Sequence, residues 1–199
     1  MKQEKIEALW KWFVQNEQQI IDAVQNETAS ETLIENLDNL ILDLGMFKWE
    51  IGRGKIQPWY LTISPNGDLD LLKVSREVMT KAPELDQWEF NHFEPAKDWD
   101  RTFVLYDNNM DEQQVDASDW NVVALSGKDG MIELILEASN IDHLDDDTAF
   151  TAADMVVINE IGEENRILKV KTVDIVSQLE DHHNIHKSHI GDLKNNLAL

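Results

Sequence analysis

Cysteine is missing from all 199 residues. Disulfides, thiolate metal sites and cysteine nucleophiles are thereby excluded. Proline and glycine are scarce, at four and eight, and no Gly/Ser/Pro-rich stretch divides the chain. One domain over 1–199 is expected, with a helical segment 1–45, a sheet plus helices over 46–176 and a polar tail over 177–199. Long apolar runs are also missing, since none approaches the ~20 residues of a membrane span. The opening MKQEKIEALWKWF reaches polar residues before a signal-type apolar core can form. The expected location is cytoplasmic. Basic residues are few, 17 against 39 acidic ones, for a net charge of −22. Nucleic acid and anionic membranes repel such a chain at long range, which leaves a basic protein partner, a cation or no partner. The phosphate loop G-x-x-x-x-G-K-[ST], the G-x-S-x-G elbow and the H-E-x-x-H helix do not occur. Gly52-Arg53-Gly54 lacks the third glycine of a dinucleotide fingerprint and reads as a turn, so no cofactor is expected.

What is present begins with bulk: seven Trp and six Phe can anchor a core. The charge is uneven. Between Arg101 and Arg166 sixteen carboxylates face one base, Lys128, so this stretch carries −15 of the −22. Asp107, Asp111, Glu112, Asp116, Asp119, Asp145, Asp146 and Asp147 are the candidate partner-binding residues within it. Such a stretch serves either solubility or docking of a basic partner.

Hydrophobic periodicity predicts an α+β fold: N-terminal helices, then a mostly antiparallel sheet containing two hairpin–helix–strand units. Ile6, Leu9, Trp10 and Phe13 lie on one helical face. A break is expected near 26–29, where Thr28-Ala29-Ser30-Glu31 matches a capping box. Leu33, Ile34, Leu37, Leu40, Ile41 and Leu44 form a second stripe that stops at Gly45. Strands are expected at 47–51 and 59–63, followed by the turn Pro65-Asn66-Gly67 and a helix over 69–81 capped by Asp68. A strand at 88–93 completes the first unit, with Trp10, Phe13, Trp88 and Phe90 as candidate core residues. The second unit has strands at 120–125 and 131–136 around a Gly-rich turn, a helix capped by Asp147 that carries Phe150, Ala153, Val157, Ile158 and Ile161 and is closed by Gly162, and a strand over 167–173. A strand at 102–106 and an acidic loop over 107–119 precede it.

Other constellations read two ways. Asp107, Asn109 and Asp111 match positions 1, 3 and 5 of an EF-hand loop, but Glu112 and Ser118 replace the glycine and bidentate glutamate that its geometry needs. His182, His186 and His189 share a face if the tail is one helix, a spacing able to bind zinc or nickel; a solvated tail that holds no metal and is dispensable for folding is the expectation. Glu160, Glu163 and Glu164 at a helix C-terminus oppose its dipole and are expected on the surface. His92 is either a half-buried structural histidine or a general base.

Three blocks, WKWFVQNE at 10–17, APELDQWEFNHFEP at 82–95 and INEIGEENRILKVKTVDIV at 158–176, resemble a family of uncharacterised bacterial proteins. The middle block is the most specific. The resemblance implies a shared fold and brings no activity, cofactor or catalytic residue. Two function classes follow from the residues. One is a non-enzymatic binding protein with an acidic surface for a basic partner, such as an immunity-type inhibitor of a toxin. The other is a metal-assisted, hydrolase-like enzyme using carboxylates and His.

Overall fold

The face predicted from Ile6, Leu9, Trp10 and Phe13 is buried along helix α1 (Lys2–Asn26) in the computed structural model. The structure describes every residue except Met1, Glu27, Ala29, Asn184 and Ile185. The fold is α+β, with helices first and sheets of mostly antiparallel strands after them. Contacts gather into two compact units, Met1–Glu94 and Pro95–Leu199. The reason is that each hairpin–helix–strand unit fills its own apolar cluster, and the two clusters share no residue.

In the first unit α1 is followed by α2 (Glu31–Leu42), β1 (Lys48–Arg53), β2 (Trp59–Ser64), α3 (Leu69–Met79) and β3 (Trp88–Asn91). The expected break and capping box include Glu27 and Ala29, which lie outside the described residues. The cap of α2 is Ser30 rather than Thr28, its Oγ accepting from Leu33 N. Asp68 caps α3 as expected, accepting from the N–H groups of Asp70 and Leu71. The turn before it places Asn66 and Gly67 at φ 52° and 79°, the left-handed region that glycine enters without steric cost. β1 and β2 pair antiparallel, and α3 carries the chain over to β3, parallel to β2.

Aromatic rings fill this unit. Phe13 stands edge-on to Trp88 at 4.8 Å and to Phe90 at 5.6 Å, while Trp10 meets Phe90 at 4.9 Å. Their polar atoms are also satisfied: Trp10 Nε1 donates to Val78 O and Trp88 Nε1 to Glu17 Oε1. The blocks at 10–17 and 82–95 therefore meet as one aromatic core, which explains them by packing.

The second unit runs β4 (Thr102–Tyr106), β5 (Glu112–Asp116), β6 (Asn121–Ser126), β7 (Ile132–Glu137), α4 (Asp146–Ile161), α5 (Glu163–Lys169), β8 (Val170–Val176), β9 (Ser188–His189) and α6 (Leu193–Asn196), with a 3-10 turn over Ile190–Asp192. β4 and β5 form a separate two-stranded ribbon, and the larger sheet has the order β8-β7-β6-β9. Again an antiparallel hairpin, β6–β7, is followed by helix and a parallel strand, β8.

Four expectations fail here. The acidic loop 107–119 contains β5. Within β5 only Val115 is buried, too little apolar signal to show a period. Helix α4 begins two residues early because Asp145, not Asp147, caps it through Thr148 N. Gly162, at φ 81°, separates α4 from α5, so Ile167 is helical and the strand starts at Val170. Finally, the tail is not a solvated appendage. Leu179, Ile190 and Leu193 are buried, and β9 pairs with β6 as the fourth strand of the sheet.

Candidate functional site

The acidic candidates assemble around the β4–β5 ribbon. Its register pairs Thr102 with Asp116, Val104 with Gln114 and Tyr106 with Glu112. These alternate side chains stand on the solvent face, while Phe103, Leu105 and Val115 turn towards the core. The segment 140–147 runs beside β5. Asn140 Nδ2 donates to Asp116 O at 2.8 Å, His143 Nε2 lies 3.2 Å from Gln114 O, and Asn108 Nδ2 reaches Asp147 Oδ2 at 3.4 Å. Asp145, Asp146 and Asp147 are thereby brought alongside the ribbon tip that carries Asp111 and Glu112.

The eight carboxylates do different work. Asp107 Oδ1 accepts from the N–H groups of Asn109 and Asp111, and Oδ2 from Gln113 Nε2. These hydrogen bonds, that from Asp111 foremost, hold its carboxyl below the usual range. Asp107 is thus the latch of the hairpin turn, in which Met110 adopts φ 67°, rather than the first ligand of an EF-hand. Asp116 is likewise lowered by the hydroxyl and N–H of Ser118, and Asp145 is a helix cap. Glu112 accepts from Tyr106 Oη at 2.9 Å. Asp111, Asp119, Asp146 and Asp147 are exposed. Apolar groups lie in the same strip: Val104, Tyr106 and Met110 on the ribbon, and Phe150, half exposed, in the first turns of α4.

The remaining candidates are structural or scattered. Glu160 and Glu163, expected on the surface, are buried. Trp99 Nε1 donates to Glu160 Oε1 at 2.9 Å, and Arg101 Nη2 donates to Oε2 at 3.2 Å. Arg101 Nε lies 2.8 Å from Oε1 as an ion pair, at an angle that gives no hydrogen bond. Arg101 holds φ 67°, a conformation costing about 1–2 kcal/mol for a non-glycine residue, retained where its carbonyl accepts from Ala117 N and its guanidinium meets Glu160. This clasp fastens residues 97–101 to the end of α4. The tail histidines do not share a helix face: His182 and His183 lie in a turn, and His189 lies in β9. The His189 ring accepts from Gly191 N at Nδ1 and sits 2.6 Å from Ser118 O at Nε2, so both nitrogens are engaged. His92 is half-buried, its ring edge-on to Phe93 at 4.6 Å. Among the described residues no three His, Asp or Glu side chains converge as metal ligands, and no helix is long and apolar enough to cross a membrane.

Two features escaped the sequence. Glu137 gathers the tail: Oε1 accepts from Leu179 N, and Oε2 from Lys187 Nζ and Asn121 Nδ2. A groove of about 660 Å³ lies beside α4 and β8, bordered by Ile141, Leu144, Phe150 and Ile175 with Asp142, Asp146 and Asp174. Its only sequence signal is the mixture of Ile and Leu with Asp over 141–147. No family model matches the chain, and no curated protein or solved structure matches it; the three family-like blocks therefore give no membership.

Proposed function

We propose that this chain is a non-enzymatic binding protein whose acidic surface engages a basic protein. An immunity-type inhibitor of a toxin, such as a nuclease, acting in a bacterial cytoplasm, is its most concrete form. The observation that carries this reading is the adjacency of the ribbon tip and the α4 N-terminus, linked by the Asn108–Asp147 hydrogen bond. Acids from two separate stretches thereby share a surface with exposed Val104, Tyr106 and Met110. Clustered charge steers a basic partner and raises its association rate. Apolar groups among the acids supply contact area, since rim ion pairs alone contribute little. The hydrolase-like alternative has no assembled ligand set among the described residues to support it.

The test is capture of a basic protein from the source organism, followed by association kinetics with that protein. The on-rate should fall steeply between low and physiological salt. Reversing Asp111, Glu112, Asp146 and Asp147 to Lys should slow association about tenfold or more at low salt, while reversing Glu7 and Glu35 should have little effect. Equal behaviour of the two sets of reversals would reduce the acidity to solvation and end this reading.

A further inference from the structure

The groove beside α4 and β8 has the composition of a seat for a long cationic side chain. Its floor is apolar: Ile141, Leu144 and Ile175 are partly buried against the core beneath, and Phe150 lines it with half its surface still exposed. Its rim carries Asp142, Asp146 and Asp174, all exposed. Among the described residues no side chain or backbone group donates to these three carboxylates. The cations of this unit that form ion pairs are engaged elsewhere, Arg101 by Glu160, Arg166 by Asp154, Lys171 by Glu133 and Lys187 by Glu137. The groove thus combines unneutralised negative charge with apolar surface in one concavity of about 660 Å³.

That combination selects an occupant. A neutral apolar ligand would strip water from carboxylates without pairing them, which is costly. An anion would meet three like charges. A bare metal ion has no convergent ligand set among the described residues and no use for the floor. Lysine and arginine satisfy both halves, since their methylene stems pack on apolar surface while the charged head stays at a polar rim. The volume lies within the range of ligand sites and exceeds one side chain, so neighbouring residues of the same segment would enter with it.

We propose that this groove seats a basic, apolar-flanked segment of the partner protein, with the stem of a Lys or Arg lying over Leu144, Phe150 and Ile175 and its head among Asp142, Asp146 and Asp174. This rests on the acidic-surface reading above and adds the anchor to it. The ribbon acids steer the partner, and the groove retains it.

The probe is a short peptide of alternating lysine and leucine, titrated into the full chain and followed by backbone amide NMR shifts and by fluorescence anisotropy. The largest shifts are expected at Leu144, Phe150, Ile175 and Val176. An oligolysine of equal charge should bind about tenfold more weakly, the equivalent of losing one apolar anchor. Phe150→Ser and Asp174→Asn should each weaken the alternating peptide by about tenfold and speed dissociation of the captured partner. Both residues are exposed, so thermal melts should confirm that the variants fold like the parent. Largest shifts elsewhere, equal affinity for oligolysine, or displacement of the peptide by spermidine at comparable concentration would overturn the assignment. If Phe150→Ser and Asp174→Asn change nothing while reversal of Asp111 and Glu112 slows the partner, the groove proposal fails and the acidic-surface reading stands. If the groove variants release the partner and the reversals are silent, the acidic-surface reading fails and the groove stands.

Discussion

The two units use one connectivity with two chemistries. Each has an antiparallel hairpin, a helical crossover and a third strand parallel to the second. In Met1–Glu94 the space between helices and sheet is filled by rings, with Trp10, Phe13, Trp59 and Trp88 buried together. In Pro95–Leu199 Trp120 is the one Trp or Phe among the buried core residues, and Ala152, Ala153, Val156 and Val157 bring α4 close to the strands. The charge differs as well: nine bases against seventeen acids in the first unit, eight against twenty-two in the second. Connectivity thus follows from turns and periodicity, whereas core chemistry can vary beneath it. The excess acid of the second unit falls largely on its ribbon and on the 140–147 segment, which the first unit lacks.

The sharpest way to break the comparison is to empty the aromatic core. Trp88 contacts Phe13, stacks parallel to Phe90 at 6.2 Å and donates to Glu17. Trp88→Ala should cost about 3–5 kcal/mol, read from urea unfolding followed by Trp fluorescence. An unchanged midpoint would mean that the rings are not the support of this unit. In the second unit the matching test is Ile190→Ala. Ile190 is fully buried, and its N–H donates to Trp120 O. The expected loss is about 2–5 kcal/mol, and removal of 188–199 should abolish cooperative unfolding of that unit. A truncated chain that melts as before would restore the tail to a dispensable appendage.

That tail shows where sequence reasoning stops. The spacing of Ile190, Leu193 and Leu197 suggests a short amphipathic last helix, but the burial of Ile190 and Leu193 depends on β9 finding β6, a pairing across more than sixty residues that no local period announces. Strand β5 was hidden for a related reason. A two-stranded ribbon with one wet face needs few apolar residues, so Gln113 and Val115 suffice on the inner side. The helices and hairpins of both units were legible because their signals are local: periodic faces, Asp68 before a helix, Gly130 in a turn at φ 79°. Of the candidate site, the location of the acids was legible. The roles of Asp107, Asp116 and Asp145 as turn and cap acceptors were not, because a capping carboxylate and a docking carboxylate are the same residue type.

Glu137 tests the tail from the other side. Leu179 N–H and Lys187 hold its carboxyl below the ordinary value. A carboxyl lowered in the folded state contributes stability above its unfolded pKa of about 4.3, and that contribution is lost as pH falls through the folded value. Glu137→Gln should therefore destabilise by about 1.5–3 kcal/mol at neutral pH, the range for hydrogen bonds to a charged group. The gap from the parent should shrink below about pH 4.3. A gap that is constant across this window would assign Glu137 a packing role only.

The smallest expected effect separates latch from solvated charge within one turn. Asp107 and Asp111 are four residues apart at the ribbon tip and identical in type. Asp107 accepts from two backbone N–H groups and Gln113, while Asp111 is exposed and is a donor to Asp107 through its own backbone. Asp107→Asn replaces an ionised acceptor with a neutral one that can satisfy fewer of these donors, so the melting temperature should fall. Asp111→Asn removes one charge from a surface already crowded with like charge. Its melting temperature should hold or rise, since relief of self-repulsion has no lost hydrogen bond to offset it. Added salt should narrow the second difference by screening exposed charge and leave the first largely in place. Equal shifts for the two variants would show that the ribbon acids act as an undivided charge, and the distinction between structural and docking carboxylates would not hold.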